Sequence, residues 1–335
     1  MKNNNCIFLC DNPNGVQNVF GKGTPHEVTI EGMSDKTVWS KDDILKNGSR
    51  FGDTEYIFST WGMPCFTEDE ISQLFPSLKC VFYAAGSVQN FARPFLNCGV
   101  RVFSAWAANA VPVAEYTVAQ IILAMKGFFV SSRLAKSDRE MSKRAFSQYP
   151  GVYDEKVGII GAGMIGKLVI RQLRYLGLEC LVFDPFLSDN DAESLGVVKC
   201  DLETLFRDSF VISNHLANNE QTKGILTGSL FSLMRRNAVF INTGRGAQVA
   251  EDEFVSVLEQ RPDITALLDV TYPEPPVPGH RFYSLDNCIL TPHIAGSSGN
   301  EVRRMARYMA EEYGRFTRSE PCLYEITLKM LETMS

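Results

Sequence analysis

Lys156–Gly177 reads "KVGIIGAGMIGKLVIRQLRYLG", and this stretch decides the fold. A β-branched run gives way to Gly161, Gly163 and Gly166 in G-x-G-x-x-G spacing, and helical periodicity takes over from Met164. At a strand-to-helix junction each glycine has a separate task. The first permits the tight turn, the second lets backbone approach a pyrophosphate, and the third lets helix and strand pack closely, with the helix amino terminus facing the anion. The next strand candidate, "CLVFDP", ends on Asp184, 18 residues beyond Gly166, near the spacing of about 20 expected of a ribose-binding acid. A carboxylate there accepts from the ribose hydroxyls of NAD and repels the extra phosphate of NADP, and Pro185 and Phe186 offer no arginine to receive it. The pattern predicts NAD as cofactor.

Working outward, short apolar runs alternate with helical segments to the end of "CILTP": "CLVFD", "FVISNH", "AVFINT" and "ITALLDV" are strand candidates, with helices after Asp201 and near Glu251–Glu259. That alternation predicts parallel strands with crossover helices, an α/β fold. Towards the amino terminus, "CIFLC", "YIFST", "LKCVFYAAG" and "VRVFSAW" also read as strands of a mixed α/β region, but without a phosphate loop, so they predict a second domain. Between the two, Ala114, Val118, Ile121, Ile122, Met125 and Phe129 recur at helical intervals and predict one amphipathic helix packed at a domain or subunit interface. Glu115, Gln120 and Lys126 interrupt it as a membrane span. The tail "NEVRRMARYMAEEYGRF" is helical by composition, and either caps the last sheet or returns to the first domain.

With 335 residues and 45% apolar content the chain can bury a substantial core, enough for about two domains. A formal charge of −6 with scattered basic residues suits neither nucleic acid nor an anionic membrane, so small molecules are the expected partners. Nine cysteines without a Cys-x-x-Cys pair and four scattered histidines provide no metal spacing, and reduced thiols suit the cytoplasm. The opening "MKNNNCIFLCDNPNG" has an apolar run of five residues, Cys6 to Cys10, shorter than a secretory signal needs.

Three downstream strand ends each deliver one charged or titratable residue: Arg245 in "AVFINTGRGAQV", Glu274 in "ALLDVTYPEPP" and His293 in "ILTPHIAG". Singly, each has an ordinary structural explanation. Together, behind a dinucleotide loop and at the carboxyl ends of parallel strands, they suit hydride exchange between nicotinamide and a small hydroxy acid. Reducing a 2-oxo acid requires a proton for oxygen as hydride reaches carbon, and an imidazole at His293 carries it. A carboxylate at Glu274 stabilises imidazolium and fixes the ring, while the planar guanidinium of Arg245 holds a carboxylate and polarises the adjacent carbonyl.

In chain order "AAGS", "ANAVPVAEYT", "GAGMIG", "VFDP", "NHLANNEQTKGIL", "FINTGRG", "LLDVTYPEP" and "TPHIAG", between about Tyr83 and Ala306, resemble the motifs of the D-isomer-specific 2-hydroxyacid dehydrogenases. The resemblance implies two Rossmann-like domains with parallel, doubly wound sheets. A catalytic domain, residues 1–107 and 299–335, is discontinuous, and an NAD-binding domain, residues 108–298, is inserted into it. It further implies a cleft that closes on substrate and a homodimer built through the cofactor domains. Carried over residue by residue, the catalytic set falls on Arg245, Glu274 and His293. Nucleotide contacts fall on Met164, Ile165, Asp184, Leu216, Ala217, Thr243 beside the nicotinamide, and Asp269, which resembles the carboxylate that orients the carboxamide. Backbone amides near Ala85, Gly86 and Ser87 resemble the loop that receives the substrate carboxylate.

Where many members of that family carry an acidic residue after the substrate loop, this chain has Val88, Gln89 and Asn90, and "HLANNEQT" replaces the proline-containing "HLPLT". Glu274 resembles the hydroxyacid enzymes rather than the formate dehydrogenases, which have glutamine there. Trp61 and Met63, at a strand end, either narrow the pocket or pack internally. The expected function is NAD-dependent interconversion of a small 2-oxo acid, such as glyoxylate, hydroxypyruvate or pyruvate, and its D-2-hydroxy acid. The alternative is an NAD-sensing scaffold, like the co-repressors of the same architecture, with little turnover.

Overall fold

The computed structural model describes residues 5–332. The chain forms two compact units, one running to Asn109 and resuming at Ser297, the other Ala110–Gly296. Of the domain limits expected above, residues 1–4 and 333–335 lie outside the described range.

In the first unit, β1 (Cys6–Leu9), β2 (Val38–Trp39), β3 (Tyr56–Ser59), β4 (Cys80–Tyr83) and β5 (Arg101–Ser104) pair in parallel. In the second, β6 (Lys156–Ile160), β7 (Glu179–Phe183), β8 (Val198–Lys199), β9 (Val211–Asn214), β10 (Val239–Asn242), β11 (Thr265–Leu268) and β12 (Cys288–Leu290) form a seven-stranded sheet of order β12-β11-β10-β9-β6-β7-β8. All its pairings are parallel. The chain returns to the first unit with β13 (Glu325–Ile326), antiparallel to β5, giving the order β13-β5-β4-β3-β1-β2.

Burial on both faces explains the composition of the strands. β9, β10 and β11 are buried at every position, as sheets covered by crossover helices require. In the first unit Phe58, Phe82 and Phe103 stack across neighbouring strands with centroids 5.1 and 4.9 Å apart, and Tyr313 meets Phe58 and Phe82 edge-on. Tyr313 comes from the helix Val302–Thr317, which also buries Met305, Ala306 and Met309 in this core. The helical tail therefore returns to the first unit. Arg101 clamps Glu325 through two nitrogens at 2.7 and 2.6 Å and pins the antiparallel edge.

One expectation is corrected. The spacing from Ala114 to Phe129 does not belong to a single helix: the first ends at Met125, and Phe128–Leu134 is separate. Gly127 lies between them at φ +63°, and a Cβ there would sit 2.4 Å from the Tyr149 ring. Positive φ and that close contact break the helix where periodicity alone continues it. By length and composition Trp106–Met125 could cross a membrane, but 56% of its most apolar window is buried, with Ala114, Ile121, Ala124 and Met125 in the core of the second unit.

Candidate active site

In the second sheet β6 has β7 on one side and β9 on the other, so successive crossovers leave in opposite directions. That reversal lies at the carboxyl ends of β6 and β9, the place where ligands of such sheets bind. The β6 loop carries Gly161, Gly163 and Gly166. Gly161 has φ +95°, and a Cβ on it would lie 2.7 Å from His215 O. A Cβ on Gly166 would lie 2.0 Å from Gly161 O, whereas one on Gly163 would meet nothing within 4 Å. The first and third glycines are thus required by the protein's own packing, and the second faces open space.

Helix Met164–Arg174 begins at Gly163 without a side-chain cap, with Met164 exposed and Ile165 half-buried beside it. A bare amino terminus with room above Gly163 fits a dinucleotide pyrophosphate. Asp184 sits where β7 ends and accepts from Ala162 N through Oδ2 and from Phe186 N through Oδ1, both at 2.7 Å. Each carboxylate oxygen keeps acceptor capacity for a ribose hydroxyl. After β9, Leu216 is buried and Ala217 half-buried.

The last three strand ends carry the polar set. Arg245, half-buried, turns Nη1 onto Gly244 O at 2.7 Å; burial pulls its guanidinium down while Glu274 pulls it up. His293 Nδ1 and Glu274 Oε1 are 2.6 Å apart. His293 has φ +55°, and its backbone N–H donates to Asp269 O at 3.1 Å. The buried Asp269 carboxylate accepts from Thr291 Oγ1, Ile294 N and Ala295 N at 2.6, 2.8 and 2.9 Å, and so fastens the loop that carries His293. Thr243 Oγ1 lies 3.2 Å from Thr117 Oγ1 and is buried.

Several contributors were invisible to spacing. Glu251 Oε1 accepts from Tyr272 N at 2.8 Å and holds the strap that bears Glu274; burial pushes its carboxyl up to about 7. Gly246 passes so close to Thr271 that a Cβ would fall 2.0 Å from Thr271 C. His215 shares a 3.0 Å contact between Nε2 and Ser213 Oγ, its Nδ1 has no partner among the described residues, and burial pulls it down to about 4. The signal for such residues was polarity ending an apolar strand, as in "VISNH".

His215 makes a stability prediction. Its folded-state pKa lies below the ordinary 6.5, so its contribution is complete above pH 6.5 and is lost as pH falls towards 4. The loss is up to about 3 kcal/mol. Urea unfolding of His215→Gln should therefore show a shallower decline in stability across that window; parallel curves for both proteins would refute the assignment.

Ala85, Gly86 and Ser87 belong to the first unit, at the carboxyl end of β4. Ser104 Oγ donates towards Ala85 O and Gly86 O at 3.0 and 2.6 Å. In trans peptides this turns the N–H groups of Gly86 and Ser87 the opposite way. Trp61 is exposed and Met63 buried in the same unit. Among the described residues no group of three or more His, Cys, Asp or Glu side chains is arranged to hold a metal.

A doubly wound sheet with this loop defines a dinucleotide-binding protein. Residues 118–295, more than half the chain, match the family model described as D-isomer specific 2-hydroxyacid dehydrogenase, NAD binding domain. The chain belongs to that family, and its cofactor is NAD. It is 27% identical over 266 residues to a D-3-phosphoglycerate dehydrogenase of Archaeoglobus fulgidus, covering 78% of this chain and 50% of the relative. It is 30% identical over 264 residues to a glycerate dehydrogenase of Methylorubrum extorquens, covering 76% and 80%. The fold is similar to that of apo D-mandelate dehydrogenase from Rhodotorula graminis, with a TM-score of 0.77 at 21% identity over 97% of this chain and 98% of that one. The chain spans about half the length of the phosphoglycerate dehydrogenases it matches.

Proposed function

We propose that this chain is an oxidoreductase that interconverts a small 2-oxo acid and its D-2-hydroxy acid, with substrates of the glyoxylate, hydroxypyruvate or pyruvate kind. The observation that carries this is the His293–Glu274 contact at 2.6 Å in the unit that also holds Arg245 and the dinucleotide loop. Names of relatives such as glyoxylate reductase, glycerate dehydrogenase and hydroxypyruvate reductase support it. In this proposal the second unit is the NAD-binding domain and the first, with Ala85, Gly86 and Ser87, is the substrate-binding domain.

Bound NADH supplies the hydride. With Nδ1 turned to Glu274, His293 keeps Nε2 to protonate the substrate oxygen in reduction and to take the proton back in oxidation. Glu274 steadies the imidazolium and sets the ring's orientation. Arg245 holds the substrate carboxylate and draws charge from the neighbouring carbonyl, an attraction that partial burial strengthens. Within the first unit, the Gly86 and Ser87 amides, turned away from Ser104, are proposed as donors to a carboxylate. Gly161, Gly163, Met164, Ile165 and Gly166 would receive the pyrophosphate and Asp184 the ribose, Leu216 and Ala217 would lie along the cofactor, Thr243 would sit beside the nicotinamide, and Asp269 would orient the carboxamide. Nine free thiols suit a reducing compartment, and the cytoplasm is the proposed location. A homodimer through the second unit would cover Leu123, Phe128, Met141 and Phe146, all exposed.

Steady-state kinetics with NADH across a panel of 2-oxo acids, and with D and L hydroxy acids in reverse, tests this function. Saturable turnover of at least one acid and preference for the D form are expected; NADH binding with negligible turnover of every acid would favour a scaffold instead. Specificity for NADH over NADPH is proposed to rest on the Asp184 charge. Asp184→Ser should narrow the ratio of the two dissociation constants by roughly tenfold, and an unchanged ratio in a folded variant would remove Asp184 from cofactor choice.

A further inference from the structure

At the ends of β9 and β10 lies a buried amide cluster that no step above uses. Asn214 ends β9, Asn242 ends β10, and Gln248 follows in the turn Gly246–Gln248; all three are 0 or 1% exposed. Asn214 Nδ2 donates to Gln248 Oε1 at 2.5 Å and to Asn242 Oδ1 at 3.1 Å. Gln248 Nε2 donates to Leu216 O at 2.8 Å and Ala217 O at 2.9 Å. Asn242 Oδ1 accepts from Gly244 N at 3.1 Å, and its Nδ2 donates to Arg245 O at 3.1 Å. Asn214 Oδ1 accepts from Leu216 N at 3.3 Å.

Three amides thus tie two functional loops into one unit: the Leu216–Ala217 segment after β9 and the Gly244–Arg245 segment after β10. A packed apolar core would cover these strand ends at less risk, because an unsatisfied buried amide is costly and a partly satisfied network is worse. Every side-chain oxygen and nitrogen of the three amides has at least one partner, which makes the arrangement stiff and specific in geometry. Apolar side chains hold loops by contact area and let them slide; amides hold particular carbonyls and N–H groups at fixed distances and angles.

We propose that Gln248, through Asn214 and Asn242, is a positioning residue that couples the loop lying along NAD to the loop presenting Arg245. The proposal rests on the roles proposed above for Arg245 and for the Leu216–Ala217 segment beside NAD. Gln248 touches neither ligand. It sets where the Leu216 and Ala217 carbonyls stand and, through the shared amides, where the Arg245 backbone stands.

The test uses full-length Gln248→Met, which keeps length and loses every side-chain hydrogen bond. NADH affinity is read directly by fluorescence titration, and kcat and KM are read with the best 2-oxo acid. The expected result is a dissociation constant for NADH raised by about tenfold together with a fall in kcat. The loss caused by Arg245→Lys should also be smaller in the Gln248→Met background than in the wild type, because coupled sites are non-additive. A folded Gln248→Met with wild-type NADH affinity overturns the proposal, as does strict additivity with Arg245→Lys. If no 2-oxo acid is turned over by the wild type, the proposed function fails while the NADH titration still decides the cofactor half.

Should Gln248→Met not fold, Gln248→Glu reads the same point. A carboxylate there opposes the Leu216 and Ala217 carbonyls, and protonation returns one donor. Its NADH affinity should tighten relative to wild type as pH falls from about 8 to about 6, the range into which burial moves such a carboxyl. Affinity that tracks the wild type throughout would overturn the proposal.

Discussion

Replacing His293 with asparagine should lower kcat for 2-oxo acid reduction by roughly 10²- to 10⁴-fold, with NADH affinity within about twofold of the wild type. Asparagine is the informative choice because His293 sits at φ +55°, where asparagine is tolerated better than alanine. The backbone bond to Asp269 O and the carboxylate's hold on Ile294 and Ala295 are then kept. What disappears is only the imidazole proposed to carry the proton. Glu274→Gln should cost less, since it removes the charge that steadies imidazolium but leaves an acceptor for Nδ1. Stopped-flow turnover together with NADH titration separates the outcomes: a kcat near wild type for His293→Asn would end its role as proton carrier.

A contrast between two glycines should have the next largest effect. Gly246→Ala places a methyl 2.0, 2.3 and 2.4 Å from Thr271 C, O and Cα. Those are backbone atoms, and no side chain can yield. The turn bearing Arg245 and the strap bearing Glu274 must move apart. Calorimetry should show destabilisation of about 3 kcal/mol or more, with a drop in kcat/KM larger than any change in NADH affinity. Gly163→Ala meets nothing within 4 Å, so stability should change by about 1 kcal/mol or less while NADH affinity falls, because the methyl occupies the approach to the pyrophosphate. Equal stability losses in the two variants would refute this distinction between packing and ligand approach.

Much of the second unit was legible from local pattern. Four-residue runs such as "VFIN" and "TALL" are apolar enough to be buried on both faces, and the glycines of "GAGMIG" mark the strand-to-helix turn. Short edges were not legible: β8 and β13 are two residues each and owe their existence to the strands beside them. The helix break at Gly127 was missed because the partner that enforces it, Tyr149, is 22 residues away.

By itself the amino-acid order determined the α/β class, the dinucleotide loop and the three strand ends bearing arginine, glutamate and histidine, because each depends on neighbours within a turn or a strand. Only the tertiary structure decided that His293 meets Glu274 while its loop hangs on Asp269, that Glu251 holds the Tyr272 strap, and that Asn214, Asn242 and Gln248 share one buried cluster. These contacts depend on which strands lie side by side and in what register. Register is set by the burial of whole sheets, a sum over many residues that no short motif contains.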